Sequence, residues 1–368
     1  MTSSLLPTRL RCEYLTNPLG LGTPNPRLFW QLTTSQPLTA PEPSARQTAY
    51  ELQVASSPDL LAARTPDLWD TGIVESNRSA HIQYAGQPLS SRARCWWAVR
   101  VRDGLGAWSS WSETSHFTLG LLHPDDWSAQ WIGIDEPNGT AFADDVDPTI
   151  PPESRLASPR ELVRRFRLDT IPEFSVLYIT ALGLYHARLN NTPVTDALLT
   201  PEWTNYHRRV QYQTYDVTRL LREGDNELTV SLANGWYCGA WQHWQKHLRR
   251  IYGEQPLLLL QLEVTGRDGV TQCISSDGHW RGTTRGPRRL AGIYEGETYD
   301  ARITPPFPTR PIRVHSPGAG QLVSQPSEPI RITQRLSPVS IHTRTPGVHV
   351  IDFGQNLVGR CRVTLRES

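Results

Sequence analysis

The chain has 368 residues, room for two or three domains at about 150 residues each. Lys and Arg number 37 against 36 Asp and Glu, a net charge of +1, which argues against a grip on nucleic acid or on an anionic membrane. No run of about 18 apolar residues occurs, so no helix is long and apolar enough to cross a bilayer. Met1 to Leu10 lacks a basic start followed by an apolar run, so no secretory leader is read there. The five cysteines, Cys12, Cys95, Cys238, Cys273 and Cys361, show no metal-ligand spacing; they are expected to be reduced, mostly buried thiols of a cytoplasmic protein.

From Arg9 to about Leu121, short β runs are separated by turn residues. Residues 50–55 and 95–102 alternate apolar and polar with period two, as half-buried strands do. Asp103-Gly104-Leu105-Gly106 makes a tight turn before Trp108-Ser109-Ser110-Trp111-Ser112, and a last strand is expected near 116–119. Such a stretch predicts a β-sandwich. The Trp-Ser-x-Trp-Ser run resembles the motif of fibronectin type III domains, in which Trp faces alternate with Arg guanidiniums of the neighbouring strand. Arg100 and Arg102 are placed to supply those cations. A stacked ladder stiffens a sandwich, so its expected role is structural.

Residues 124–159 read as a joint that turns acidic and irregular at Asp144, Asp145 and Asp147, a surface loop by composition. The β pattern returns at 162–168, 175–181 and 184–189, the last ending at the turn Asn190-Asn191. Runs at 211–217, 227–233 and 256–265 follow, with one helical turn expected over 216–221. Residues 303–348 are proline-rich and should lie extended, between domains or along a sheet edge. Residues 348–366 hold two strand-like runs around Gly354-Gln355-Asn356, too little for an independent core. The fold class is therefore all-β, with antiparallel β-sandwiches in tandem and an incomplete third sheet. The expected domains are 1–121, 122–310 and 311–368. Unpaired strands near 348–366 would leave a sheet edge open to self-association.

Several constellations invite chemistry. An inverting glycosidase needs two carboxyl groups roughly 6.5–9.5 Å apart. Glu295, Glu297 and Asp300 are the densest carboxylates near aromatics, but the reading that they brace the surface is preferred. His243 and His247 are four apart, yet Trp244 stands where a zinc-protease motif needs Glu. No Gly-x-Ser-x-Gly elbow is present. The better candidate is a set of amides and rings: Asn190, Asn191, Trp203, Tyr206, Tyr215, Trp236 and Tyr237. Sugars present hydroxyls that need donors and acceptors, which Asn supplies, and C–H faces that stack on Trp and Tyr. The alternative, that the Asn pair makes the turn and the rings fill the core, stays open.

The segment from Trp127 to Arg302 resembles the N-terminal accessory domain of bacterial-type α-L-rhamnosidases. The resemblance is carried by Ile179-Thr180-Ala181-Leu182-Gly183-Leu184-Tyr185, Leu189-Asn190-Asn191, Pro201-Glu202-Trp203-Thr204-Asn205-Tyr206, residues 209–218, Asn234-Gly235-Trp236-Tyr237 and residues 294–302. A leading type III-like domain is usual in that family, and residues 351–359 look like the opening of its next β-sandwich. The resemblance implies a jelly-roll-like carbohydrate-module sandwich at 122–310 and a family activity on terminal α-L-rhamnosides. It implies a catalytic acid and base on an (α/α)6 barrel beyond the Gly-Gln-Asn segment, so no catalytic residue is expected here and the chain is expected not to turn over substrate. Some modules of this kind bind L-rhamnose through calcium, and Asn190-Asn191 lies where a ligating pair would be expected by that resemblance. Asp there would hold the ion more strongly. L-rhamnose or rhamnosides are the implied partners. Two other readings remain: a free-standing carbohydrate-binding module, or an interaction scaffold built on the type III-like domain. In a complete enzyme, Trp241 and Trp244 would pack on the barrel or border its cleft.

Overall fold

The computed structural model describes residues 3–34, 46–135, 157–243, 246–304 and 308–364, with the side chains of 242–248 excepted. The chain divides into two compact units, Met1–Pro329 and Ile330–Ser368. Asp144, Asp145 and Asp147, and the side chains of His243, Trp244 and His247, lie outside the described residues.

The first unit opens with a β-sandwich. One sheet orders Leu5–Cys12, Arg27–Thr34 and Ile82–Gln83. The other orders Trp69–Asp70, Gln47–Ala55, Arg94–Asp103 and Ser115–Thr118, with Val74–Glu75 also on Gln47–Ala55. Alternation drives this arrangement: Cys95, Trp97, Val99 and Val101 all point into a core shared with Leu28, Trp30 and Phe117. The tight turn is built by Asp103, whose Oδ1 accepts from the N–H groups of Leu105 and Ala107, each at 2.9 Å.

The tryptophan ladder is present. The Arg100 guanidinium sits 5.0 Å from the Trp108 ring and 5.1 Å from Trp111, and Arg102 lies 5.9 Å from Trp108. Arg64 extends it, 4.1 Å from Trp111. The serines of the motif also bond the neighbouring strand: Val101 N–H donates to Ser109 Oγ at 3.0 Å and Val99 N–H to Ser112 Oγ at 3.1 Å.

The second sandwich has two larger sheets. The first orders Thr192–Pro193, Leu184–Leu189, Gly224–Ala233, Arg160–Leu168, Arg281–Thr283 and Arg310–Pro311. The second orders Arg313–His315, Trp131–Gly133, Leu257–Thr265, Phe174–Leu182, Arg209–Asp216 and Gln321–Ser324, with Thr271–Ser275 also on Leu257–Thr265. Leu162, Ile179, Val230, Leu260 and Trp280 meet in a core between them. The chain changes sheets at Gly183, whose φ is +125° and where a Cβ would stand 2.4 Å from the Ala233 carbonyl oxygen. Only glycine suits that corner. The expected helical turn is a single 3-10 turn, Thr218–Leu220.

Two short strands beyond residue 310 close opposite edges of the second sheet. Arg313–His315 pairs antiparallel with Trp131–Gly133, and Gln321–Ser324 pairs parallel with Arg209–Asp216. The sandwich thus runs past the boundary expected at 310, and part of the proline-rich stretch lies along sheet edges.

The two sandwiches are joined by specific contacts. Arg92 bonds Glu263 at 2.7 Å and Asp126 at 2.9 Å. The Tyr212 hydroxyl accepts from Leu121 N–H at 2.8 Å and donates to the Leu121 carbonyl at 3.1 Å. Leu121, Tyr178 and Tyr212 form a small buried cluster there, flanked by Trp127.

The second unit holds one hairpin, Ser340–Thr345 with Val348–Asp352. The expected pair of runs around Gly354-Gln355-Asn356 is corrected: the partner strand precedes 348, and among the described residues no strand follows Asp352. Ile341, Val348, Val350 and Ile351 are exposed.

Candidate functional site

The structure distributes the seven candidate sugar-contacting residues over three places. Asn190 and Asn191 form the tip of the hairpin that joins Leu184–Leu189 to Thr192–Pro193. Their φ values are 50° and 65°, left-handed geometry that Asn tolerates well. The Asn190 amide is committed within the fold. Its Nδ2 donates to the Leu220 carbonyl and to Asn226 Oδ1, both at 2.8 Å, and its Oδ1 accepts from Glu227 N–H at 3.0 Å. Asn191 is exposed, and its Oδ1 accepts from the Arg188 guanidinium at 3.3 Å. A calcium ion would need those oxygens and would face a fixed positive charge beside them, so the pair does not fit the metal that the resemblance implied. Among the described residues, no group of three His, Cys, Asp or Glu has the arrangement to hold a metal.

The second place is the opposite end of the sandwich. Strand register establishes the separation: Leu189 pairs with Leu228, Leu184 with Ala233, and the turn Gly235–Cys238 follows directly. The pair and the rings are therefore roughly 20 Å apart along the strands. At this end Tyr206 packs edge-on against Tyr237 at 5.3 Å and Tyr252 at 5.1 Å. Tyr206 and Tyr237 are buried, and burial raises both hydroxyl pKa values, that of Tyr237 to about 12. They are core residues. Trp203 is different: 51% exposed, with its ring 5.0 Å edge-on from Trp241. Trp241 is oriented by its Nε1–H, which donates to the Trp236 carbonyl at 3.0 Å. The loop that displays Trp203 is held from below, where the Pro201 carbonyl accepts from the side-chain amides of Gln211 and Gln213, each at 3.3 Å. Thr204 Oγ1 donates to the Arg209 carbonyl at 2.6 Å. The result is a fixed loop carrying an exposed indole, the kind of platform on which a pyranose C–H face stacks.

The third place is the interior. Tyr215 is partly buried, and its hydroxyl lies 3.0 Å from that of Tyr185, which donates to Gln213 Oε1 at 2.8 Å. It braces the core and reaches neither surface group. Sequence reasoning missed Tyr252 and His207, whose rings lie 5.1 Å apart at a tilt of 56°. No local pattern marked them, because pairing across loops brings them together.

Of the carboxylates at 295–300, Glu297 and Asp300 are held as structure. Glu297 bonds Arg288 at 2.8 Å within the hairpin Arg288–Gly292 and Gly296–Tyr299. Asp300 is engaged by Arg302 at 2.8 Å, and that bonding lowers its pKa to about 2. Glu295 differs: it is 4.0 Å from the Arg249 guanidinium, and both its carboxylate oxygens are buried without a hydrogen bond among the described residues. A general acid must hold a proton near neutrality, and neither Glu297 nor Asp300, each ion-paired to arginine, is placed to do so.

Residues 7–123 match the family model described as the Rha78A-like, N-terminal immunoglobulin domain, and residues 172–334 match the alpha-L-rhamnosidase N-terminal domain. The chain carries the N-terminal domains of the α-L-rhamnosidase family. An α-L-rhamnosidase of Alteromonas sp. (strain LOR) is 33% identical over 96% of this chain and 38% of its own length. One from Streptomyces avermitilis is 30% identical over 98% of this chain and 50% of its own. The crystal structure of the Streptomyces avermitilis α-L-rhamnosidase complexed with L-rhamnose aligns with a TM-score of 0.82 at 27% identity, over 96% of this chain and 49% of that one. The native enzyme of Aspergillus terreus aligns at 0.81 and 31% identity, over 96% and 39%. The chain thus spans half or less of these relatives. The immunoglobulin description of the first domain agrees with the β-sandwich seen here, an architecture it shares with type III domains.

Proposed function

We propose that this chain is the accessory region of an α-L-rhamnosidase, a glycoside hydrolase of terminal α-L-rhamnosides, and that it contributes framework to hydrolysis performed elsewhere in the enzyme. The observation that carries the reading is the order of the two matched domains, one after the other, over a framework that aligns along nearly all its length with solved α-L-rhamnosidases. The arginine-bound state of Glu297 and Asp300 supports a framework role. The test is an aryl α-L-rhamnoside assay on residues 1–368. No release above a buffer blank is expected; turnover abolished by mutating one carboxylate would overturn the reading. We place the protein in the cytoplasm, a reducing compartment that suits its five unpaired cysteines.

A second role, L-rhamnose binding, is favoured by the exposed Trp203 indole on its braced loop. Calorimetric titration with L-rhamnose, with and without calcium, tests it. Saturable, calcium-independent heat lost in Trp203→Ala and kept in Asn191→Ala is expected. Heat that requires calcium and Asn191 would return the site to the hairpin tip. No heat in either condition leaves the framework role alone.

A further inference from the structure

A cleft of about 540 Å³ lies at the seam of the two sandwiches, walled on one side by Leu19, Arg92 and Arg94 and on the other by Glu173, Phe174 and Val176. Seams between domains are a preferred place for ligand clefts, and this volume suits a mono- or disaccharide. We propose that the cleft binds a carboxylated sugar, an assignment independent of any rhamnose site at Trp203.

The charges in the cleft fall into two classes. Arg92 is neutralised by Glu263 and Asp126 and serves the seam. Arg94 and Arg267 also line the cleft, both exposed, and among the described residues neither has a carboxylate partner. The Arg94 guanidinium lies 4.1 Å from the Phe174 ring and 5.1 Å from Trp96. Stacking holds the guanidinium by its face and leaves its N–H edge to meet a carboxylate with two parallel bonds.

The remaining groups select hydroxyls. Glu173 lines the cleft with a carboxylate that no arginine engages among the described residues. Beside two unpaired cations it disfavours a bare dianion but accepts from a sugar hydroxyl. Leu19 and Val176 supply apolar wall for a C–H face. A ligand bearing one carboxylate and several hydroxyls satisfies all of these groups, whereas acetate or a neutral hexose satisfies part.

The test titrates residues 1–368 with D-glucuronate, with D-glucose and acetate as comparators. Glucuronate should bind saturably and at least about tenfold more tightly than either comparator. Its affinity should fall as salt rises. Arg94→Gln and Arg267→Gln, both surface changes, should each weaken glucuronate about tenfold, while Trp203→Ala leaves it unchanged. Cys273 lines the cleft and is exposed, so glucuronate should slow its alkylation and leave that of Cys361 unaffected. Equal affinities for glucuronate and glucose, wild-type binding in Arg94→Gln, or an unprotected Cys273 would each overturn the assignment. A failed rhamnose titration would not bear on it.

Discussion

Replacing Tyr212 by Phe tests whether the two sandwiches are locked by one hydroxyl. Tyr212 is 1% exposed, and its OH meets both backbone groups of Leu121, the N–H at 2.8 Å and the carbonyl at 3.1 Å. Leu121 is itself buried at 5%. Tyr212→Phe keeps the ring, which packs 5.2 Å from Trp127, and removes only the hydroxyl. It strands a buried donor and a buried acceptor, each costing about 1–3 kcal/mol when unpaired. A total of about 3 kcal/mol follows, and at roughly 2 °C per kcal/mol for a body of this size the midpoint should fall by about 6 °C. Thermal unfolding by circular dichroism measures this, with Tyr14→Phe as control, since Tyr14 is 49% exposed and its loss should be nearly silent. Limited proteolysis should cut first near residues 120–127 in the variant. A midpoint within about 1 °C of the parent, with unchanged proteolysis, would refute the lock.

Three further outcomes follow from the same packing. Burial raises the Glu161 pKa, against an opposing bond from Ser231, so the protonated form is favoured in the fold. The stability this confers is present below about pH 4 and lost as pH rises through the folded value, so Glu161→Gln should melt higher than the parent at pH 7 and equal to it near pH 4. A chromogenic thiol reagent should titrate Cys273 and Cys361 in the native protein and all five cysteines in denaturant, because burial pushes Cys95 and Cys238 up to about 12 and Cys12 higher still. A chain ending at Thr309 forfeits three edge strands, Arg310–Pro311, Arg313–His315 and Gln321–Ser324, with the buried Ile312, and should lose at least about 2 kcal/mol.

Where burial contrasts along one strand, the fold was legible. Residues 95–102 alternate because one face meets a core and the other does not, and the ladder follows from Trp108 and Trp111 standing opposite Arg100 and Arg102. Arg64 completes the ladder from a non-periodic turn after Pro58–Ala62, where spacing carries no information. Ser340–Thr345 was missed for the opposite reason. Its side chains are mostly exposed on both faces, so no contrast exists for a period of two to report. The edge strands Arg313–His315 and Gln321–Ser324 are too short for a period to declare itself, and each owes its place to the strand it borders.

The candidate site shows the same limit at a larger scale. Residue type points to amides and rings as chemistry a sugar could use, but type does not say which end of a strand a residue occupies. That is decided by register, and Leu184↔Ala233 with Leu189↔Leu228 sends the Asn pair one way and the Trp203 loop the other. Burial then divides the rings again. Tyr206, Tyr237 and Tyr215 have hydroxyls that found partners or low-dielectric surroundings inside, while Trp203 alone among the seven keeps a large apolar face in water. The hydrogen bonds beneath the loop, from Thr204 to Arg209 and from Gln211 and Gln213 to Pro201, hold the indole where its face meets water.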